Sequence, residues 1–123
     1  MQQNGNNMEY QWHIFLANLD PAIGSEQGRT RPVLVISDEE INQILPVINV
    51  LPITSQKANR SIYPNEVLIS SGIGGLSLDS IVLCYQIRTL DKRRLKKNLG
   101  HLNNLLLQEE IIDALCFQLG IEK

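Results

Sequence analysis

Aromatic side chains make up only 5% of this 123-residue chain. That supplies little material for a binding module built on an aromatic-lined groove. Cysteine and histidine are scarcer, at two each, and neither type shows metal-ligand spacing. Cys84 and Cys116 fall in a predicted strand and a predicted helix. They read as small buried hydrophobes in a reducing cytoplasm, with a disulfide as the alternative. His13 and His101 read as surface residues. No apolar run is long enough to cross a bilayer, and the polar start lacks the apolar core of a secretory signal. A cytoplasmic protein without membrane contacts is therefore expected. A phosphate-binding glycine loop and a carboxylate cluster with metal-binding spacing are also missing, so nucleoside-triphosphate chemistry and metal-assisted hydrolysis lack support. No metal and no cofactor is expected.

What remains is a chain that is 43% hydrophobic, enough for one domain with a modest core. Residues 1–12 begin rich in Asn and Gln without periodicity and read as a flexible tail; residues 13–123 read as a single domain. Strands are predicted over residues 13–19, 32–37, 47–53 and 66–69, with a short helical turn capped by Asp38 after the second. Residues 80–88 form the most legible strand, with Ile81, Leu83, Tyr85 and Ile87 on one face. Its other face turns polar at Gln86 and Arg88. A helix over about 105–119 is capped by Asn103 or Asn104 and stopped by Gly120, with Ile111, Leu115 and Leu119 as its apolar stripe. These elements give a mostly β fold with a C-terminal helix.

The most informative stretch runs from Gly24 to Ile36. A glycine-bracketed polar loop delivers Arg31 to the mouth of an apolar strand, where Val33–Ile36 would be buried on both faces. A guanidinium there suits phosphate, although an ordinary strand connection with a solvated arginine has the same spacing. Net charge is only −2, yet Arg88, Lys92, Arg93, Arg94, Lys96 and Lys97 cluster in one stretch. That strip reads either as a phosphate-attracting surface or as a solvated turn.

The wording of several segments goes further. Asn18-Leu19-Asp20-Pro21, then Gly24-Ser25-Glu26-Gln27-Gly28 and Arg31-Pro32-Val33-Leu34-Val35-Ile36, resemble the opening of the MazF/PemK-type toxin endoribonucleases. Leu51-Pro52-Ile53-Thr54-Ser55, Asp79-Ser80-Ile81-Val82-Leu83, the stretch from Gln86 to Lys92, and Leu99-Gly100 follow in family order. The resemblance implies an SH3-like antiparallel barrel in a homodimer, the CcdB/PemK-like toxin fold. It also implies a metal-independent endoribonuclease that cuts single-stranded messenger RNA, leaving a 2′,3′-cyclic phosphate and a 5′-hydroxyl. By resemblance, Arg31 and Thr54 are catalytic, and Ser25, Glu26, Gln27, Ser80 and Gln86 hold RNA beside Arg88. Thr54 also reads as a plain strand-end cap. The implied partner is a cognate antitoxin with a flexible acidic segment, and DNA is met only through the antitoxin complex.

Three positions depart from the family pattern. Ser25 stands where the PemK branch has histidine, and Tyr85 where it has aspartate, so a histidine/aspartate acid-base pair does not carry over. Trp12-His13 replaces the usual Gly-Asp before the first strand. The rival reading is a gyrase-poison toxin on the same barrel, which catalyses nothing. Its decisive aromatic lies near the end of the last helix, where this chain has Phe117, and its only tryptophan, Trp12, is at the other end.

Overall fold

The computed structural model of the protein describes residues 8–57 and 60–123. Seven strands form one twisted antiparallel sheet: β1 (His13–Asn18), β2 (Thr30–Val35), β3 (Val47–Ser55), β4 (Glu66–Ile69), β5 (Ser80–Leu83), β6 (Arg88–Asp91) and β7 (Leu95–His101). Two helices accompany it, α1 (Glu39–Ile44) and α2 (Leu105–Leu119). The hydrogen-bonded order is β4-β5-β3-β2-β1-β7, and β6 also pairs with β3.

The central strands are buried on both faces, which explains their unbroken apolar runs. Ile14, Leu34, Leu51 and Ile53 join one core, which α2 covers with Leu107, Ile111 and Ala114. Phe15, Ala17, Val33, Val35, Ile48 and Val50 join a second core on the opposite face. Each such aliphatic side chain contributes about 1.5–3 kcal/mol by leaving water. The helix ends follow side-chain chemistry. Asp38 accepts from the Glu40 N–H to open α1, Asn104 accepts from the Leu107 N–H to open α2, and Gly120 closes α2 in a left-handed conformation.

The class read from sequence holds, with physical differences in detail. No ladder joins the end strands β4 and β7, so the barrel is sealed by packing. The connection between β4 and β5 lies on β7, so close that a Cβ on Gly75 would sit 2.0 Å from the Leu99 carbonyl oxygen. β7 itself escaped the sequence pattern because its residues do not alternate in burial. It pairs with β1 through two register shifts. The strand expected over residues 80–88 is broken. Val50 pairs with Arg88 and Ile53 with Val82, so three steps along β3 take up six along its neighbour. The surplus is extruded as a 3-10 turn at Cys84–Gln86. On α2 the buried stripe is Leu107, Ile111 and Ala114, with Leu115 partly buried; Leu119 is 48% exposed.

Of the expected flexible tail, residues 1–7 lie outside the described residues, and residues 8–12 are fastened. The Tyr10 and Gln11 N–H groups donate to Glu39 Oε1, and Trp12 bridges strands through its N–H to Val35 and its carbonyl from Leu102.

Candidate active site

The site forms where β3 changes neighbours. The β2–β3 ladder ends at Val33–Pro52, and β3 then pairs with β5 from Ile53 to Ser55. Ile36 donates to Asn49 across this ladder, so the next bonded positions in β2 are Leu34 and Pro32, and Pro32 has no N–H to continue it; the strands part there. Continuing the antiparallel register by two residues sets Arg31 opposite Thr54. The parted strands open a cleft of about 210 Å³, with Arg31, Thr54 and Ser80 in its lining and Leu76, Ser77 and Leu78 as one wall. Thr54 therefore belongs to β3, not to the start of the following loop.

Arg31 is half-buried and its Nε donates to the Gly28 carbonyl at 3.0 Å. That single tie orients the guanidinium and leaves its two terminal nitrogens, among the described residues, without a partner. Ser80 is buried and its hydroxyl donates to the Leu78 carbonyl at 2.8 Å. It fixes the floor of the cleft and offers no exposed donor.

The other sequence-chosen residues gather around the connection between β1 and β2. Ser25, Glu26, Gln86 and Arg88 line a second groove of about 380 Å³, which also includes Tyr85. Much of their polar capacity holds the loop itself. Gln86 Nε2 donates to the Ser25 carbonyl at 3.1 Å, and Arg88 Nη1 donates to the Leu19 carbonyl at 3.3 Å. Glu26 Oε1 accepts from the Ile23 N–H at 2.8 Å. Gln27 lines neither cavity. Its Oε1 is buried without a partner, alone among the described residues. An unpaired buried acceptor is costly.

The cationic strip is not one open surface. The Lys92 ammonium stands 4.9 Å from the Tyr10 ring centroid, and Arg93 engages Asp91 through Nε and Nη2. Arg94 Nη1 donates to the carbonyls of Asn18 and Asp20. Arg88 and Arg94 thus grip three consecutive carbonyls at the start of the site loop. Sequence reasoning missed that bracing role, because nothing in the charge run distinguishes a carbonyl-bound arginine from a solvated one. Lys96 and Lys97 remain exposed. His13 and His101 stack with ring centroids 4.7 Å apart. Cys84 and Cys116 are both free thiols, which corrects the disulfide alternative.

Comparison with known proteins agrees with this architecture. The profile described as PemK-like, MazF-like toxin of type II toxin-antitoxin system matches residues 10–119. The chain is 39% identical over 108 residues to Endoribonuclease MazF of Staphylococcus saprophyticus, covering 88% of each protein. It is similar to the MazF crystal structure from Deinococcus radiodurans, with TM-score 0.76 and 29% identity, covering 91% of this chain and 96% of that one. A MazE-MazF structure from the same organism matches with TM-score 0.70 and 30% identity, covering 92% and 96%. With a match spanning nearly the whole fold and both cleft residues within it, the chain belongs to the PemK-like, MazF-like toxins of type II toxin–antitoxin systems.

Proposed function

We propose that this MazF-type endoribonuclease cuts single-stranded RNA in the Arg31–Thr54 cleft without a metal ion, using the RNA's own 2′-hydroxyl as nucleophile. The 2′-oxygen bonds to the adjacent phosphorus while the bond to the 5′-oxygen breaks. The 2′ proton leaves through a base, and a proton is delivered to the departing oxygen. The products are a 2′,3′-cyclic phosphate and a 5′-hydroxyl. The observation that carries this reading is the convergence of Arg31 and Thr54 on one cleft. The chemistry requires stabilisation of a phosphorane more negative than the ground-state phosphate. The terminal nitrogens of Arg31 form a planar fork suited to two non-bridging oxygens, and the Thr54 hydroxyl can donate to the same group.

Ser25, Glu26, Gln27 and Gln86 would hold the strand on either side, where base edges and 2′-hydroxyls of unpaired RNA are accessible. Ser80 shapes the floor of the cleft, while Arg88 braces the loop and would meet RNA at its exposed edge. The MazE-MazF structure supports an antitoxin partner for this chain. A flexible acidic segment would compete with RNA for the same arginines in the cytoplasm, with two copies of the toxin forming the grooves between them, and DNA would be met only through that complex.

The test is incubation of purified protein with mixed-sequence RNA in excess EDTA, with cut sites mapped by primer extension. Discrete cuts in EDTA support the reading. Cleavage that appears only when magnesium is restored would overturn the chemistry, and gyrase poisoning without cleavage would establish the rival.

A further inference from the structure

Half of the chain's six aromatic residues meet on one stretch of surface. Tyr63, Tyr85 and Phe117 line an open groove of about 430 Å³ and are 61%, 42% and 64% exposed. Exposed aromatics are costly to keep in water and, grouped rather than scattered, mark a binding surface. Each is held by a different device. The Tyr63 N–H donates to Glu66 Oε1 at 3.0 Å, and Arg60 clamps that same carboxylate with both terminal nitrogens at 3.0 and 2.6 Å. Tyr85 sits in the 3-10 turn that the register slip extrudes. Phe117 rides on the last turn of α2, which Gln118 ties to Asn65 at 2.9 Å. The backbone that carries the three rings is therefore braced.

We propose that this shelf is a base-stacking subsite for an unpaired nucleotide flanking the one that is cut. The proposal rests on the RNA-cleaving reading above. Tyr85 lines both this groove and the one containing Ser25 and Gln86, so a strand leaving that groove runs onto the shelf. Among the described residues the lining contains Pro64 and aromatic rings but no leucine, isoleucine, valine or methionine. Flat faces of this kind suit a planar base, which stacks whatever its identity, better than an aliphatic anchor that needs an enclosing hole. Charge points the same way. Arg60, the only cation among the described lining residues, is neutralised by Glu66, so an acidic peptide would find no free charge there. The Tyr85 that breaks the family pattern becomes, on this account, the link between two subsites.

The experiment measures binding of wild type and the Tyr63→Ala/Phe117→Ala double variant to a non-cleavable RNA. That RNA carries a 2′-deoxy sugar at the mapped cut site. A series of the same RNA with a single abasic position on either side is measured alongside. One flanking abasic position should weaken wild-type binding by about 5- to 150-fold, and the double variant should show no further loss at that position. Tyr63→Leu/Phe117→Leu keeps apolar bulk without a π face and should behave like the alanine variant; unfolding midpoints report that each variant folds. The subsite is refuted if the variants bind intact RNA as tightly as wild type, or if the abasic loss is equally large in them. Loss of dimer by light scattering with RNA affinity intact would assign the shelf to a protein contact. If wild type cuts no RNA at all, the underlying function fails instead, a distinguishable result.

Discussion

Gly75→Ala tests whether the barrel is sealed by close packing. Gly75 has φ +79°, and an added methyl would lie 2.0 Å from the Leu99 carbonyl oxygen and 2.6 Å from its carbon. Both atoms are backbone, so no side-chain rotation relieves the clash. A left-handed φ costs an L-residue about 1–2 kcal/mol, and forcing atoms into a filled space typically about 1–3 kcal/mol. Together these approach about 2–5 kcal/mol of a total stability on the order of 5–15 kcal/mol. At about 4 °C per kcal/mol for a domain of this size, the melting point should fall by roughly 8–20 °C. Gly72→Ala is the matched control. Gly72 has φ +91° but open space around its Cβ position, so only the backbone cost of about 1–2 kcal/mol remains. Urea unfolding followed by far-UV circular dichroism gives both values. Because Leu76, Ser77 and Leu78 follow directly and wall the cleft, Gly75→Ala should also slow RNA cleavage more than Gly72→Ala does. Equal destabilisation by the two substitutions would refute the packed seam.

Arg60→Ala should leave the Glu66 carboxylate, 1% exposed, without its charge partner and cost about 3 kcal/mol near pH 7. The Arg60 hydrogen bonds hold that carboxyl below its usual range despite burial. Its stabilising contribution is therefore present above the unfolded value of about 4.3 and lost as pH falls through the folded one. In the variant the burial left uncompensated pushes the group up, so the penalty should shrink as pH falls from that raised value through the lowered wild-type one; a pH-independent difference in urea midpoints would contradict this. Burial, with Glu66 nearby, pushes the Cys84 thiol up to about 12. Native protein treated with a disulfide reagent at mildly alkaline pH should therefore modify Cys116 and spare Cys84 until unfolded. Modification of Cys84 at the rate of a free thiol would place it outside the core.

The parts of the fold legible in sequence were those written in side-chain chemistry. Asp38, Asn104 and Gly120 mark helix ends, and the Val33–Val35 run marks a strand buried on both faces. The Arg31 loop was visible because two glycines, a proline and an apolar run bound it. What stayed hidden is written in backbone pairing. β7 carries Lys96, Lys97 and Asn98 through a bulged ladder with no alternation to reveal it. The break at Cys84–Gln86 follows from two registers on one partner strand, which no local pattern encodes. The cleft was half legible. Arg31 and Thr54 could be named from resemblance, and Pro32 is where the β2–β3 ladder stops. Their opposition depends on the β2–β3 register, which a single sequence does not give. The three ring-bearing residues of the shelf are spread over the chain from Tyr63 to Phe117 and meet only once β4, the 3-10 turn and α2 have packed.

The most direct test of the central claim is the single-turnover rate at which Arg31→Ala cuts the mapped RNA in EDTA, measured beside wild type. Arg31 stands at a strand end with one side-chain hydrogen bond among the described residues, so the unfolding midpoint should stay near that of wild type. Loss of one contact to the developing phosphorane charge should lower the rate by on the order of 10²-fold or more. A natively folded Arg31→Ala protein that cuts the same bond within a few-fold of the wild-type rate would contradict the account.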